Sequence, residues 1–310
     1  MIYLSEPRPN AWSAHPNALS LQPTLVLPAE PKMTQHDIVI KALRAKFADA
    51  PSPDPDGPDL SSLLHLASRG SCRDFTADPV PRATIDILCA TALAAPTKSD
   101  LQQRDIVIIE DPGLKSELLG LVAHQGWTRD IPHLLIFCGN NRRQRLLHDW
   151  HGLDFANDHL DAFFNATADA AIAMEAFIAG AEAIGLGCCP ISAIRDHAQK
   201  VSDLLHLPDH VFPFVGLALG YPKATKQQNS LRLPLSVTVH TDRYREDNLQ
   251  DNVRSYDQRR EQEQPYKQQR LAERYGESDA YGWSLDKARQ YSVGERTGFG
   301  EFIRSKGFKL

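Results

Sequence analysis

Two hydrophobic patterns alternate along the chain, and they predict helices and short buried strands. Apolar residues at helical spacing predict helices over 36–47, 60–67, 83–94, 114–122, 161–184, 195–205 and 283–310. Continuous apolar runs predict four buried strands, over 106–109, 134–138, 212–219 and 237–240. Because helices and strands alternate, the pattern favours an α+β or α/β class.

The predicted helix over 161–184 is the longest, and it is rich in small residues. It carries nine alanines between positions 166 and 183, together with Gly180. Small side chains let neighbouring helices approach closely, so we expect a central helix or one at a dimer interface. The segment that follows, 186–192, is predicted to be a loop.

Three regions of different composition define the predicted domain organisation. Residues 1–57 form an N-terminal extension, in which prolines interrupt the hydrophobic periodicity everywhere except in one short predicted helix. The extension ends in a proline-rich linker over 50–58. Residues 58–248 contain the alternating elements and form the core. Residues 249–310 form a C-terminal helical arm of the same domain, and its first part is very polar.

Charge, cysteine content and hydropathy narrow the classes of function. The formal net charge of -5 argues against a general nucleic-acid surface. The five cysteines are odd in number and lack C-x-x-C spacing, which indicates reduced thiols and a cytoplasmic protein. No apolar run reaches the roughly 18 residues that a membrane helix needs, so we expect no membrane partner.

One short stretch, 68–76, concentrates the candidate chemistry. Arg69, Ser71 and Arg73 lie within five residues of one another. A guanidinium offers a rigid fork of donors and a hydroxyl adds a short one, which suits a phosphate. The alternative from these residues alone is an ordinary solvated surface.

Other candidate motifs are rejected on their local context. Gly185 and Gly187 follow a helix and not a strand, which argues against a dinucleotide-binding loop. His206 and His210 are separated by Pro208, which breaks the helix that would align them on a metal. His148 and His151 are predicted to be solvated, so no metal site is expected.

Six short motifs follow one another in a fixed order. They are R-x-S-x-R-x-F-T at 69–76, A-P-T-K-S-D-L-Q at 95–102, Q-G-W at 125–127, L-G-C-C-P-I-S-A-I-R at 186–195, P-F-V-G-L-A-L-G-Y-P at 213–222 and S-L-R-L-P-L-S-V-T-V-H at 230–240. Together they resemble the flavin-dependent nitroreductase family, most of all its branch of oxygen-insensitive NADPH nitroreductases and NADPH-flavin oxidoreductases. Residues 1–57 have no recognised counterpart there, and we expect them to be dispensable for flavin binding.

The resemblance implies a fold, an assembly and an activity. The fold is α+β of the nitroreductase type, with a central mixed, mostly antiparallel sheet flanked by helices. The assembly is a homodimer that holds FMN at the subunit interface. The activity is an FMN-dependent NAD(P)H oxidoreductase, with NADPH or also NADH as donor, that reduces nitroaromatic compounds by two-electron ping-pong transfer through flavin N5. A quinone, flavin or chromate reductase, or a flavin-binding protein without turnover, stays an alternative.

The resemblance also assigns residues to the flavin by motif position, and none is catalytic because the flavin carries the chemistry. The residues assigned to the ribityl chain and the phosphate are Arg69, Gly70, Ser71, Arg73 and Arg232. The turn beside the flavin, which meets the partner subunit, is Thr97, Lys98 and Ser99. Gln125 is assigned a hydrogen bond to the flavin. The backbone of Pro190, Ile191, Ser192 and Ala193 is assigned to the ring edge and N5. Arg274 is assigned to the NADPH side.

Departures from the family pattern weaken the predicted phosphate site. Gly70 and Ser230 stand where basic residues are usual. The resemblance therefore predicts weaker phosphate binding unless Lys98 or Lys226 substitutes.

Two further departures concern the ring edge and the electron donor. Ser192 and Ala193 replace two glycines of the family pattern. Asp279 stands where a second arginine on the nicotinamide side is usual. A carboxylate near a 2′-phosphate is repulsive, so the predicted preference for NADPH is reduced.

Overall fold

A four-stranded sheet forms the centre of the fold in the computed structural model, which describes residues 34–52, 54, 57–223 and 229–310. Its strands are β1 (Arg104–Ile109), β2 (His133–Asn140), β3 (Gly187–Ile191) and β4 (Val211–Gly220), in the order β1-β2-β4-β3. Every pairing among these strands is antiparallel. The α+β class is therefore confirmed, and the predicted mixed character of the sheet is wrong for the described residues.

Helices surround the sheet along the described chain. They are α1 (Gln35–Arg44), α2 (Leu64–Ser68), α3 (Arg82–Leu93), α4 (Pro112–Leu121), α5 (Arg142–His151), α6 (Leu160–Ala183), α7 (Ala198–Leu204), α8 (Leu235–Thr238), α9 (Leu249–Glu263), α10 (Ala272–Tyr275), α11 (Trp283–Tyr291) and α12 (Phe299–Ser305). The predicted helices overlap these elements, because the apolar spacing of each segment matches the face that it buries.

Two local predictions are wrong. The segment 237–240 is not a strand, since α8 occupies Leu235–Thr238. The N–H groups of Leu235 and Ser236 donate to the carboxylate of Asp49 over 2.7 and 2.9 Å, which caps this short helix from a distant part of the chain. The predicted loop at 186–192 contains β3, an edge strand. Pro190 is tolerated in it because an edge strand leaves some N–H positions unpaired.

The helix α6 packs across the sheet, which confirms that it is central. Phe177 is fully buried and meets Phe137 of β2 edge to face, with ring centroids 5.7 Å apart. A Cβ at Gly180 would lie 3.3 Å from a methyl carbon of Leu88, so the glycine lets α3 approach closely.

The length and composition of α6 would also allow it to cross a membrane, although only 39% of the relevant window is buried within the protein. The prediction that no segment is long and apolar enough is wrong by this measure. A core helix of a soluble protein passes the same test, so the finding is weak evidence for a membrane.

The described chain begins inside a compact unit, Thr34–Leu310, and α1 belongs to it. The guanidinium of Arg259, on α9, donates to the carbonyl of Arg44 over 3.2 Å. The unit therefore includes a segment that composition places in the N-terminal extension 1–57. The predicted coil before Thr34 lies outside the described residues.

Candidate functional site

The stretch 68–76 runs along the free edge of β3. The N–H of Cys72 donates to the carbonyl of Cys188 over 2.9 Å, and Thr76 donates to the carbonyl of Tyr221 over 2.8 Å. A Cβ at Gly187 would lie 2.6 Å from the Cβ of Cys72, so only glycine permits this approach. The middle and the C-terminal end of the stretch are thus held against the sheet.

Arg69 is engaged by a buried carboxylate. Its Nε and Nη2 atoms each donate over 3.0 Å to Glu182, near the end of α6, whose side chain is 7% exposed. Burial raises the pKa of the Glu182 carboxyl, and the guanidinium of Arg69 opposes that shift. Two of the five N–H donors of Arg69 are therefore used inside the protein. The sequence motif did not reveal this pairing.

A further cation that sequence reasoning missed, Lys46, lies beside Arg69. Its residue is 5% exposed, and its ammonium donates to the carbonyl of Arg69 over 2.5 Å. The carbonyl of Lys46 accepts the N–H of Arg232 over 2.9 Å. Burial and the charges of Arg232 and Arg69 lower the pKa of Lys46 to about 8, while Glu182 opposes the shift. We call Lys46, Arg69 and Arg232 the cation cluster.

Arg73 extends the same surface towards the Q-G-W motif. Its guanidinium carbon lies 5.8 Å from the ring centroid of Trp127, within cation–π range. Gln125 ends a single 3₁₀ turn, and Gly126, with φ of 66°, turns the chain towards Trp127. The structure thus brings together two predicted flavin motifs that lie about 50 residues apart in the sequence.

The predicted ring-edge residues continue from β3 on the same side. Pro190 and Ile191 end the strand, and Ser192 and Ala193 begin a 3₁₀ helix, Ser192–His197. Burial raises the pKa of the Cys189 thiol, and the nearby charge of Arg73 opposes this shift. This places the β3 end next to the arginines of 68–76. Gly70 is buried and Ser71 is half-buried between those arginines.

The turn with Thr97, Lys98 and Ser99 is hydrogen-bonded to a different part of α6. The carboxylate of Asp169, which is 1% exposed, accepts the N–H of Lys98 over 3.0 Å and that of Gln103 over 2.8 Å. Asp169 thus holds both ends of the turn, in which Ser99 has a left-handed backbone with φ of 48°. Asp169 is a third site-forming residue, after Glu182 and Lys46, that the motifs did not indicate.

The Thr97 turn and the cation cluster are far apart in one chain. Their anchors on α6, Asp169 and Glu182, are separated by about 20 Å along the helix axis. The ammonium of Lys98 donates to Ser99 over 3.3 Å and stays with its own turn. Lys98 is therefore not part of the cation cluster of the same chain, and Lys226 lies outside the described residues.

The residues assigned to the nucleotide donor lie on the surface. Arg274, on α10, has its guanidinium carbon 5.2 Å from the ring centroid of Tyr275 and is exposed, as is Asp279. Arg270 pairs with Asp286, with Nε 3.5 Å from a carboxylate oxygen. The charge of Arg270 is thus partly neutralised within the protein.

Metal ligation has no geometric support in the part of the chain that the structure describes. Within it, no group of three or more His, Cys, Asp or Glu side chains could hold a metal ion. Nδ1 of His148 lies 2.8 Å from the carbonyl of Gln144, one turn earlier in α5, and Nε2 of His210 lies 3.0 Å from the carbonyl of Gly307.

Comparisons with known proteins agree with this arrangement. A family model described as "Nitroreductase family" matches residues 66–221, and one described as "Nitroreductase family, C-terminal domain" matches 230–310. The chain is 30% identical over 251 residues to an FMN reductase [NAD(P)H] of Bacillus subtilis, covering 80% of this chain and 98% of that protein.

Two other proteins are similar. An oxygen-insensitive NADPH nitroreductase of Salmonella typhimurium is 32% identical over 180 residues, which are 58% of this chain and 72% of that protein. The structure of an NADPH:FMN oxidoreductase from Vibrio harveyi, complexed with NAD+, superposes with a TM-score of 0.68 and 26% identity over 79% of this chain and 97% of that one. With family models covering both the sheet and the C-terminal helices, this chain belongs to the nitroreductase family.

Proposed function

We propose that this protein is an FMN-dependent NAD(P)H oxidoreductase that reduces nitroaromatic compounds. The observation that carries the proposal is the edge of β3, where the charges of Arg73 and Arg69 act on Cys189, the residue before the Pro190–Ala193 backbone. This edge offers what FMN requires, which is cations for a phosphate beside an extended backbone for a flat ring. The names of the two relatives described above support the choice of cofactor and donor.

The residues of the chain have distinct roles in this proposal. When bound, FMN would supply the two-electron chemistry, accepting a hydride from the nicotinamide and passing two electrons to a second substrate that binds after the donor has left. Arg73 and Arg232 would hold the phosphate. Gln125 and the backbone N–H groups of Ser192 and Ala193 would hydrogen-bond the ring and favour its reduced, anionic form.

A homodimer is part of the proposal, because one chain separates the two groups of flavin residues by about 20 Å. The cofactor would take its phosphate contacts from one subunit and the Thr97 turn from the other. The face of α6 that carries Leu160, Phe164 and Ile172 exposes large apolar side chains, which favours burial against a second copy. Light scattering of the flavin-loaded protein should give twice the mass of a 34.5 kDa chain. A monomer that retains its flavin would contradict the dimer.

We place the protein in the cytoplasm. Its five cysteines are all free, as a reducing compartment would keep them. Burial raises the pKa of several of these thiols, including Cys89 to about 11, which keeps them protonated and unreactive at neutral pH.

The decisive experiment follows the colour of the bound cofactor. The purified protein should release FMN on denaturation, about one per subunit. Under argon, NADPH should bleach the bound flavin, and adding a nitroaromatic compound should restore its absorbance. Release of FAD, or failure to bind any flavin after reconstitution, would overturn the proposal. A flavin that binds and is never bleached would indicate a flavin-binding protein without turnover.

A flavin reductase is the second candidate, and the name of the Bacillus relative favours it. The same reduced protein distinguishes the two. If free FMN or a quinone restores the absorbance much faster than a nitroaromatic compound does, the physiological acceptor belongs to that class.

The donor preference follows from the exposed charges of Arg274 and Asp279. Arg274 attracts a 2′-phosphate and Asp279 repels it. Because exposed charges are screened, each interaction changes the affinity by about 1 kcal/mol, or about fivefold. We expect NADPH to be modestly preferred in kcat/KM, with NADH also used. Asp279→Arg should raise the preference and Arg274→Ala should abolish it. A wild-type preference above about a hundredfold would contradict this assignment.

A further inference from the structure

The phosphate site of this chain is incomplete if only family positions are counted. Gly70 and Ser230 contribute no charge where cations are usual, and Arg69 has two donors committed to Glu182. Among the family positions, Arg73 and Arg232 are therefore the cations for which the structure describes no carboxylate partner. A phosphate dianion would be poorly neutralised by these two exposed side chains.

Lys46 has the properties of the missing cation. It is buried, and lysine is rarely buried unless its charge is compensated. One of its three N–H donors is used by the carbonyl of Arg69, which is a neutral acceptor. The carboxylate of Glu182, which favours the charged form of Lys46, is already hydrogen-bonded to Nε and Nη2 of Arg69.

The backbone places Lys46 between the two stretches that carry the arginines. Its ammonium reaches the carbonyl of Arg69, and its own carbonyl accepts the N–H of Arg232. The guanidinium of Arg259 also donates to the Lys46 carbonyl, over 3.4 Å, and fixes it from α9. Because Lys46 follows α1, and the matched family segments are 66–221 and 230–310, this cation comes from outside the family core.

We infer that Lys46 is a cofactor-phosphate ligand of this protein, supplied by its N-terminal segment in place of the basic residues absent at Gly70 and Ser230. The inference rests on the proposed function and extends it to a residue that the family pattern does not contain. It also means that the segment around Lys46 is needed for tight cofactor binding, in contrast to the prediction that residues 1–57 are dispensable for it.

The pKa of Lys46 gives the inference a measurable signature. Burial and the charges of Arg232 and Arg69 disfavour its protonation, and the carboxylate of Glu182 favours it. With a pKa of about 8 in the free protein, Lys46 is mostly charged at pH 7 and mostly neutral at pH 9. A phosphate dianion favours the charged form, so binding takes up a proton and weakens as the pH rises through 8.

The test compares FMN with riboflavin, which lacks the phosphate, by quenching of flavin fluorescence in the full-length protein. Lys46→Met should weaken FMN binding about 10- to 100-fold and change riboflavin binding by less than about twofold. Lys41→Met, an exposed lysine on α1, is the matched control and should change neither. Unchanged riboflavin binding also verifies that the variant is folded.

A pH series separates charge from packing. Wild-type FMN affinity should fall about tenfold between pH 7 and pH 9, whereas Lys46→Arg, which stays charged, should show a flat profile. Equal losses for FMN and riboflavin in Lys46→Met, or no loss for either, would overturn the inference and leave the proposed function intact. A wild-type protein that binds neither flavin would overturn both.

Discussion

Replacing Asp169 by alanine is expected to lower the free energy of unfolding by about 3–5 kcal/mol. The carboxylate is buried, accepts two backbone N–H groups and lies 3.9 Å from a guanidinium nitrogen of Arg104, whose side chain is 3% exposed. Removing it leaves a buried positive charge and two buried donors without their acceptor. Burial already lowers the pKa of Arg104, which indicates how costly that charge is.

Urea denaturation of the flavin-free protein measures this effect. Asp161→Ala, an exposed carboxylate in the first turn of the same helix, is the control and should change stability by at most about 1 kcal/mol. If both variants unfold at the same urea concentration, Asp169 does not hold the turn as its hydrogen bonds indicate. The left-handed backbone at Ser99 should relax in Asp169→Ala, so flavin binding should weaken together with stability.

Replacing Glu182 by glutamine should have two effects of opposite sign. It removes the carboxylate that compensates Arg69, and we expect a loss of about 2–4 kcal/mol in the stability of the flavin-free protein. This expected loss is smaller than that for Asp169 because the Arg69 side chain is 21% exposed, so that water compensates part of its charge. FMN should nevertheless bind more tightly, by about fivefold, because a negative charge near the phosphate is lost and Arg69 becomes available.

Chemical denaturation and flavin titration of the same preparations measure both effects. Glu117→Gln, an exposed carboxylate on α4, is the control and should alter stability by less than about 0.5 kcal/mol. Weaker FMN binding in Glu182→Gln would contradict the view that Glu182 competes with the phosphate for Arg69. It would indicate that the carboxylate instead orients Arg69 for the cofactor.

The sequence by itself determined the elements whose burial follows a local rule. The apolar runs in β1, β2 and β4 and the small-residue pattern of α6 were predicted because each element buries the residues that its own period brings to one face. The motif order also identified the family correctly, since those short stretches carry their residue types independently of what packs against them. The edge strand β3 was missed because Gly187 and Pro190 are residue types that are depleted in strands, and its pairing with β4 exists only in the folded protein.

Tertiary structure alone decided the electrostatics of the site. Glu182 pairs with Arg69 from 113 positions away, and Asp49 caps α8 from 186 positions away. Lys46 contacts Arg69 from the short helical segment of the predicted N-terminal extension 1–57. The spacing of charged residues along the sequence does not determine which of them meet, because the fold brings distant residues together. The free energy of a charge depends on burial and on neighbours within a few ångströms, and both exist only once the chain has packed.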